Sequence, residues 1–360
     1  MDIKTIAQQF DIQGDVIDVK PLGNGLINDT YRIYTAGDAP DYVLQRINNA
    51  IFKDVELLQH NIEAVTGHIR AKLVASGEPD IDRKVLRYVS PKGSDKTYLL
   101  DGDKYWRVSL FIPDAMTYET VNPEYSYYAG KAFGNFEAML SDIDAALGET
   151  IPDFHNMELR SRQLKEAVAA DAAGRVGDPE IQAILKDIAQ YDEEMCKAER
   201  MYREGILPKR VCHCDTKVNN MMFDKDGNVL CVIDLDTVMP SFVFSDFGDY
   251  LRTAANTVAE DDPAVEKVDF KMDIFEAFAK GYLESANCFL TPVEKENLSY
   301  AALLFPYMQA VRFLADYING DTYYKIKYPD HNLVRTRNQM ALFHSALGKK
   351  AQMDAVIASM

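Results

Sequence analysis

The pattern of apolar residues changes near Pro113. Before that point, runs such as VIDVKPL (16–22) and DYVLQRI (41–47) alternate apolar with polar residues and are rich in β-branched and aromatic side chains, which indicates antiparallel strands. After it, apolar residues recur every three or four positions, as on the buried face of a helix. The sequence therefore predicts an α+β chain, with a small β-rich lobe over residues 1–112 and a larger, mostly helical lobe over 113–360.

One main helix is predicted inside the β-rich lobe. It begins after Asp54, whose side chain can cap the first turn. Apolar residues then follow at helical spacing: Val55, Leu58, Ile62, Val65 and Ile69. The sequence therefore predicts a small, mostly antiparallel sheet with one helix in this lobe.

Composition narrows the classes of protein to consider. The chain has 360 residues, of which 47% are hydrophobic and 26% charged, as in soluble globular proteins large enough for two cores. The N-terminus lacks the pattern of a signal peptide, and no apolar stretch approaches the roughly 18 residues of a membrane span, so we expect a cytoplasmic protein. A net charge of −17 disfavours nucleic-acid and anionic-membrane partners. Five cysteines are predicted to be free thiols.

Polar side chains concentrate around a turn in VCHCDTKVNNMMFDKDGNVLCVIDLDTVMP (211–240). The Asp-Gly pair at 226–227 stands between two apolar runs and is a hairpin signal. The two halves of the stretch should therefore run antiparallel. This pairing would bring Asp215 and Asn220 near Asp234.

Carboxylate and amide oxygens of this kind are the ligands that Mg²⁺ prefers. We predict Asn220, Asp234 and Asp236 as metal ligands; if the chain stays extended, the two carboxylates share one face. Protein kinases use the same order: a catalytic Asp accepts the hydroxyl proton, and an Asn five residues on and an Asp after the next hairpin bind metal. On that pattern Asp215 is the catalytic base, and Lys217 places positive charge on the γ-phosphate.

Other uses of these residues fit the sequence less well. A calcium loop of the EF-hand type would need a third ligand before its glycine and a closing Glu, and FDKDGNVLCVID has neither. Zinc bound by Cys212, His213 and Cys214 would rely on adjacent ligands without a second pair. We expect His213 to fix the loop through backbone contacts. Asp246, in DFG, follows Asp234 too late to be the metal ligand, so we expect a buried carboxylate that braces the catalytic loop.

The β-rich lobe offers a site for ATP. Gly23 and Gly25 lie between two predicted strands, where backbone amides can approach phosphates because no side chain intervenes. The phosphate-binding lysine of kinases is absent, and Gln45 occupies its place, with Arg46 pointing to the opposite face. Glu63, on the following helix, is predicted to brace either side chain, with a solvent-exposed carboxylate as the alternative.

Several segments together resemble one family. HCDTKVNN followed by VIDLD is similar to the aminoglycoside phosphotransferase and choline kinase superfamily, small-molecule relatives of the protein kinases. More closely, GNGLINDTY, YVLQRIN, VIDLDTVMP, DFGDYLR and RFLADYINGDTYYKIKYPDHNLVRTR resemble the bacterial N-acetylhexosamine 1-kinases, in order and over nearly the whole chain. The resemblance implies a two-lobed, protein-kinase-like fold. It also implies ATP-dependent phosphorylation of the anomeric hydroxyl of N-acetylglucosamine or N-acetylgalactosamine.

The resemblance also implies residue roles. It repeats the base and metal roles given above, with Mg²⁺ as cofactor and ATP and a small sugar as partners, and a monomer is the expected state. Gln45 in place of lysine is shared with those sugar kinases, and Cys214 stands where the superfamily often has glycine. Arg312 and Tyr323 are implied near the sugar. Further implied members of the pocket are Asn28, Asn332, Arg335 and Arg337.

Three rival functions stay open on the sequence. A choline or aminoglycoside kinase would suit an acidic chain, although Arg312, Arg335 and Arg337 argue against a cationic substrate. A nucleotide-binding regulator without turnover is motivated by Gln45. A metal-dependent hydrolase built on the carboxylates is the most remote of the three.

Overall fold

The structure is a computed structural model that describes residues 2–23, 27–119 and 121–360. Gly25, one of the two predicted phosphate-loop glycines, lies outside the described residues. The strands in the described ranges are β1 (Val16–Pro21), β2 (Asp29–Thr35), β3 (Tyr42–Ile47), β4 (Tyr88–Val89), β5 (Tyr98–Asp101), β6 (Lys104–Leu110), β7 (Arg210–Cys212), β8 (Met221–Phe223), β9 (Val229–Val232) and β10 (Met239–Ser241).

Helices make up most of the chain after Pro113. Those in the described ranges are α1 (Ile3–Ala7), α2 (Val55–Ala75), α3 (Ile81–Lys84), α4 (Pro123–Leu140), α5 (Met157–Ala170), α6 (Pro179–Met195), α7 (Lys197–Arg203), α8 (Phe244–Ala254), α9 (Met272–Ala286), α10 (Pro292–Glu296), α11 (Leu298–Ile318), α12 (His331–Gly348) and α13 (Lys350–Ala358). The α+β prediction is confirmed. Among these helices, none combines the length and apolar character that a membrane crossing requires.

The chain divides into two compact units. The first consists of Met1–Tyr118, Met139–Pro152 and Asn219–Met239, and the second of Glu119–Ala138, Asp153–Val218 and Pro240–Met360. The assignment of nucleotide binding to residues 1–112 and of catalysis to residues 113–360 stays a prediction.

The first unit is built on an antiparallel sheet. Its strand order is β1-β2-β3-β6-β4, and β5 pairs with β6. Both faces of the central strands are buried, because Trp106 and Val108 of β6 pack into a core with residues of α1, whereas Arg107 between them reaches Gln59 of α2. Arg107 therefore lies inside the unit, on the side of the sheet where α2 packs.

Helix α2 follows the sequence pattern closely. The Asp54 carboxylate accepts a hydrogen bond from the Leu57 N–H at 2.9 Å, which caps the first turn as expected. The apolar residues named at helical spacing are all buried: Val55, Leu58, Ile62, Val65 and Ile69. This prediction is confirmed.

The second unit is mostly helical, with β7 and β10 as a two-stranded sheet. Nearly every side chain of α11 is buried, so this helix forms the centre of the unit's core. The five cysteines are free thiols, as expected from their number.

Candidate active site

The loop after β7 carries Asp215, and Asp246 holds its backbone. The Asp246 carboxylate, in the first turn of α8, accepts hydrogen bonds from the N–H groups of His213 (2.8 Å) and Cys214 (2.7 Å). The Thr216 hydroxyl donates to the Asp246 carbonyl at 2.8 Å. Asp246 is fully buried, and this burial raises the pKa of its carboxyl. The contacts fix the backbone on both sides of Asp215.

His213 and Cys214 shape the same loop. The buried His213 ring packs edge-on against Phe133, with ring centroids 5.4 Å apart, and its Nδ1 accepts a hydrogen bond from the Asp215 N–H at 3.3 Å. Cys214 has a φ of +63°, in the left-handed region that favours glycine. The left-handed turn at Cys214 and the hydrogen bond to the His213 ring together fix the backbone conformation at Asp215.

Asp215 and Lys217 form an ion pair in the second unit. Lys217 Nζ lies 2.5 Å from Asp215 Oδ1, and both side chains are partly exposed. Burial acts to lower the pKa of Lys217, but the carboxylates of Asp215 and Asp249 outweigh it, so that the pKa is raised overall. Lys217 therefore remains a cation beside a solvent-accessible carboxylate, an arrangement suited to hydroxyl activation next to a phosphate.

The hairpin of β8 and β9 places Asn220 and Asp234 side by side in the first unit. Met221 pairs with Val232, and the Ile233 N–H donates to the Asn220 carbonyl at 2.9 Å, which confirms the predicted hairpin. An amide and a carboxylate at adjacent ends of one hairpin are hard oxygen donors that fit Mg²⁺. Asp215 belongs to the second unit, and its approach to these residues stays a prediction.

Asp236 does not share a face with Asp234. The chain leaves the extended conformation at Asp234, whose φ is +59°, and forms a 3₁₀ turn over Leu235–Thr237. The condition for a shared face is therefore not met: Asp234 is exposed, whereas Asp236 is buried. Asp236 Oδ1 lies 2.6 Å from Arg107 Nη1, an ion-pair contact without hydrogen-bond geometry, and Oδ2 accepts from Asn28 Nδ2 at 2.6 Å.

Gln45 contacts the same buried arginine. Its Oε1 accepts a hydrogen bond from Arg107 Nε at 2.9 Å, and its Nε2 donates to the Thr30 hydroxyl at 3.2 Å. Glu63 is exposed and accepts a hydrogen bond from Thr97. Gln59, one turn earlier on α2, is the helix residue that reaches Arg107, at 3.2 Å.

A cavity of about 420 Å³ lies in the second unit, with Arg160 and Arg312 in its wall. Arg160 donates to the carbonyls of Asp153 and Phe154 and to Gln163, and Arg312 donates to Gln309. Neither guanidinium forms an ion pair in the part of the chain that the structure describes. Burial, followed by the charge of Arg312, lowers the pKa of Arg160 to about 10. The cavity wall therefore presents two guanidinium groups, together with the carboxylates of Glu166 and Asp316.

Aromatic and amide groups complete the same wall. Tyr323 and Tyr324 line the cavity, and Tyr323 is largely exposed. The Asp316 carboxylate in this wall accepts the N–H groups of Thr322, Tyr323 and Tyr324 at 2.8–3.0 Å, which stabilise its negative charge. Arg252, on α8, lies within electrostatic range of both Lys217 and Tyr324.

Residues 18–283 match the APH family, described as the phosphotransferase enzyme family. The chain belongs to this family. The phosphotransferase is similar in fold to an aminoglycoside phosphotransferase from Alicyclobacillus acidocaldarius, at 13% identity and a TM-score of 0.65 over 100% of this chain and 97% of that chain. It is also similar to choline kinase from Cryptosporidium parvum, at 13% identity and a TM-score of 0.57 over 99% and 98% of the two chains.

A third similar structure is spectinomycin phosphotransferase in complex with ADP and spectinomycin, at 11% identity and a TM-score of 0.55 over 97% of this chain and 98% of that chain. These similarities confirm the kinase-like α+β fold that the motifs implied for this phosphotransferase. At such low identity they show the fold alone, and the acceptor has to be argued from the residues.

The remaining predicted pocket residues are distributed over both units. Asn28 belongs to the buried network around Asp236 in the first unit. Arg335 contacts Asn332 at 3.2 Å, and Arg337 pairs with Glu180 at 2.5 Å. Neither Arg335 nor Arg337 lines the cavity that holds Arg312 and Tyr323. Their roles toward a substrate stay predictions.

Three residues of the candidate site were missed by the sequence reasoning. Arg107 is an isolated charge in the apolar strand run YWRVSLFI, and Arg160 reads as an ordinary surface residue of α5. Asp249 lies one turn after Asp246 on α8. The DFGDYLR motif contains Asp249 and was the only local signal for any of the three.

A buried cluster lies beside the loop that carries Asp215. Glu137, Cys212 and Asp246 have ligand-type atoms within 4.8 Å of one another, a spacing that a metal site would also show. Asp246 uses its carboxylate on the loop backbone, and the Tyr282 hydroxyl donates to Glu137. Burial, and then the Asp246 carboxylate, raise the pKa of Glu137 well above its ordinary range. Both effects favour the neutral, protonated form of Glu137 in the folded protein.

Glu137→Gln is expected to become more stable, relative to wild type, as the pH rises. In the unfolded chain the carboxyl ionises near its ordinary pKa of about 4.5, whereas the folded protein keeps it protonated to higher pH. The wild type therefore loses about 1.4 kcal/mol of unfolding free energy per pH unit above that value, until the folded pKa is reached. Glutamine does not titrate. Urea unfolding at several pH values measures the difference.

Glu284→Gln is the matched control, because Glu284 also accepts a tyrosine hydroxyl, from Tyr127, but at the exposed surface of the same pair of helices. Its stability difference from wild type should not change with pH in this way. A difference for Glu137→Gln that stays constant across the pH range would contradict the assignment of a protonated acid.

Proposed function

We propose that this phosphotransferase transfers the γ-phosphoryl group of ATP to the anomeric hydroxyl of an N-acetylhexosamine. The observation that carries the proposal is the cavity wall formed by Arg160, Arg312, Tyr323 and Tyr324. Guanidinium groups without carboxylate partners suit the hydroxyl and amide oxygens of such a sugar, and tyrosines can stack on a sugar ring or hydrogen-bond to it. Arg160 and Arg312 repel a quaternary or polyammonium acceptor, whereas Glu166 and Asp316 of the same wall would attract one, so the acceptor panel below includes both kinds of substrate.

The catalytic loop supplies the chemistry on the acceptor side. Asp215 orients the anomeric hydroxyl and takes its proton as the new O–P bond forms and the bond from the γ-phosphorus to the ADP oxygen breaks. An anomeric hydroxyl is more acidic than an alkyl alcohol, so a carboxylate is a sufficient base. Lys217 places positive charge beside Asp215, where the phosphoryl oxygens share negative charge in the transition state.

The first unit supplies the nucleotide side of the reaction. We assign ATP to Gly23, whose φ is +70°, and to the strand that carries Gln45; the ADP complex of the similar spectinomycin phosphotransferase supports an adenine nucleotide as the ligand. Asn220 and Asp234 would hold Mg²⁺, which neutralises charge on the ATP phosphates when it is bound. Asp236 is left out of the metal set because both of its oxygens are engaged with Arg107 and Asn28.

An acceptor panel tests the proposal. ADP release is measured with ATP, Mg²⁺ and either N-acetylglucosamine, N-acetylgalactosamine, choline or kanamycin. Turnover with an N-acetylhexosamine and not with the two cationic acceptors is the expected result. Turnover with choline or kanamycin alone would overturn the sugar and support a kinase of that type. ATP binding without turnover of any acceptor would support the regulator.

Arg312→Ala is expected to raise the KM for the sugar by about 10–100-fold, because a charged hydrogen-bond donor contributes roughly 1.5–3 kcal/mol. The KM for ATP should change little. Steady-state kinetics with each substrate varied in turn measures both constants. Arg337→Ala is the matched control, since Arg337 pairs with Glu180 away from the cavity. An equal rise in the sugar KM for both variants would contradict a cavity role for Arg312.

A further inference from the structure

A buried ion pair links the central sheet of the first unit to the segment that carries Asp234. We propose that Arg107, through Asp236, is a positioning residue that holds Asp234 ready to bind the divalent metal. The inference rests on the proposed metal-dependent phosphoryl transfer. It names a residue that neither the sequence motifs nor the predicted kinase pattern assigned.

Arg107 is buried and forms an ion pair with Asp236. The Arg107 side chain is 2% exposed, and its Nη1 lies 2.6 Å from Asp236 Oδ1. Its contacts on the sheet and on α2 are uncharged: the amides of Gln45 and Gln59, and the ring of Tyr88, whose centroid lies 5.7 Å from the guanidinium carbon. Burial acts to lower the pKa of Arg107, but the Asp236 carboxylate outweighs it. A buried guanidinium is costly unless it is well paired, so this contact is specific.

The partner of Arg107 belongs to a strained segment. Asp234 has left-handed φ and ψ of 59° and 58°, which a residue with a Cβ adopts at a cost and retains only where its surroundings hold it. The turn that follows is held through Asp236: its carboxylate binds Arg107 and Asn28, and its carbonyl accepts the Thr150 hydroxyl at 3.0 Å. Asp236 is therefore the anchor that keeps Asp234 directed outward at the end of the hairpin.

The register of the sheet places Arg107 of β6 directly beside Gln45 of β3. Gln45 bonds both Arg107 and Thr30. In the kinase pattern, a lysine on the strand pairs with a helix glutamate. Here the strand and helix partners, Gln45 and Gln59, are neutral. The positive charge is therefore on β6, at Arg107, and not on β3. Its carboxylate partner, Asp236, lies two residues after the predicted metal ligand Asp234.

Four variants separate positioning from simple stability. Arg107→Met removes the cation and leaves Asp236 buried and unpaired, whereas Arg107→Met combined with Asp236→Asn removes both charges, and Arg107→Lys keeps the charge. Arg32→Met combined with Asp41→Asn is the matched control, because it removes another ion pair of the same sheet, at 2.7 Å. For each, the Mg²⁺ concentration that gives half-maximal binding of a fluorescent ADP analogue is measured, together with urea unfolding.

The uncharged double variant decides the question. Its stability should return toward that of wild type, since no buried charge is left unpaired. Its half-saturating Mg²⁺ concentration should stay about 10–100-fold above wild type, as is usual when the support of a metal ligand is lost. Arg107→Lys should recover part of the Mg²⁺ affinity, and the control variant should bind Mg²⁺ with ADP as wild type does.

Two results would overturn the inference, and they are distinguishable. If the uncharged double variant binds Mg²⁺ with ADP like wild type, the ion pair only stabilises the fold and the proposed function is unaffected. If wild type itself binds ADP without any response to Mg²⁺, the metal-dependent function fails and the positioning role fails with it.

Discussion

Asp215→Asn is expected to lower kcat by about 10²–10⁴-fold, the usual contribution of a positioned general base. Asparagine has nearly the same shape but cannot accept the proton of the sugar hydroxyl at neutral pH. It also removes the negative charge that Lys217 contacts at 2.5 Å. The rate of ADP formation at saturating N-acetylglucosamine measures the effect.

Binding of the nucleotide should survive this substitution, so a fluorescent ADP analogue separates lost chemistry from lost structure. Asp226→Asn is the matched control, because Asp226 lies in the exposed turn between β8 and β9. If Asp215→Asn retains a kcat within about tenfold of wild type, another group is the base.

Asp246→Ala is expected to lower the free energy of unfolding by about 4 kcal/mol, because it leaves two buried N–H groups unpaired at roughly 2 kcal/mol each. These are the N–H groups of His213 and Cys214. The loop that carries Asp215 would lose its fixed conformation, so kcat should fall as well. Urea denaturation and steady-state kinetics measure the two effects.

Asp273→Ala provides the matched control for this substitution. Asp273 lies in the first turn of α9, as Asp246 does in α8, but it is exposed. The control therefore isolates the general effect of an acidic residue at a helix start, which is about 0.3–1 kcal/mol. Equal losses for the two variants would show that Asp246 does not brace the loop.

The spacing of apolar residues and the turn residues predicted helix α2 and the β8–β9 hairpin correctly. The apolar face of α2 and the hairpin around residues 226–227 follow directly from spacing and turn chemistry. The relation of Asp234 to Asp236 did not follow, because the period of two assumes an extended chain. Asp234 adopts a left-handed conformation instead, which aspartate tolerates better than most residues with a Cβ. Because of the left-handed backbone at Asp234, the Asp234 carboxylate is exposed and the Asp236 carboxylate is buried.

Pairs that are distant along the chain were beyond the reach of the sequence reasoning. The strand run that contains Arg107 indicates only a strand, and nothing in it points to Asp236. Arg160 lies on α5 and Arg312 on α11, and only the folded second unit shows that both face one cavity. Cys214 was noted where the superfamily often has glycine, and its φ of +63° explains that preference.

The most direct test of the central claim is the identity of the product. Wild-type protein is incubated with ATP, Mg²⁺ and N-acetylglucosamine, and the product is followed by phosphorus NMR with proton correlation. The account predicts a sugar phosphate whose phosphorus couples to the anomeric proton, and its absence with Asp215→Asn. A phosphate on any other hydroxyl of the sugar, or no phosphorylated sugar at all, would contradict it.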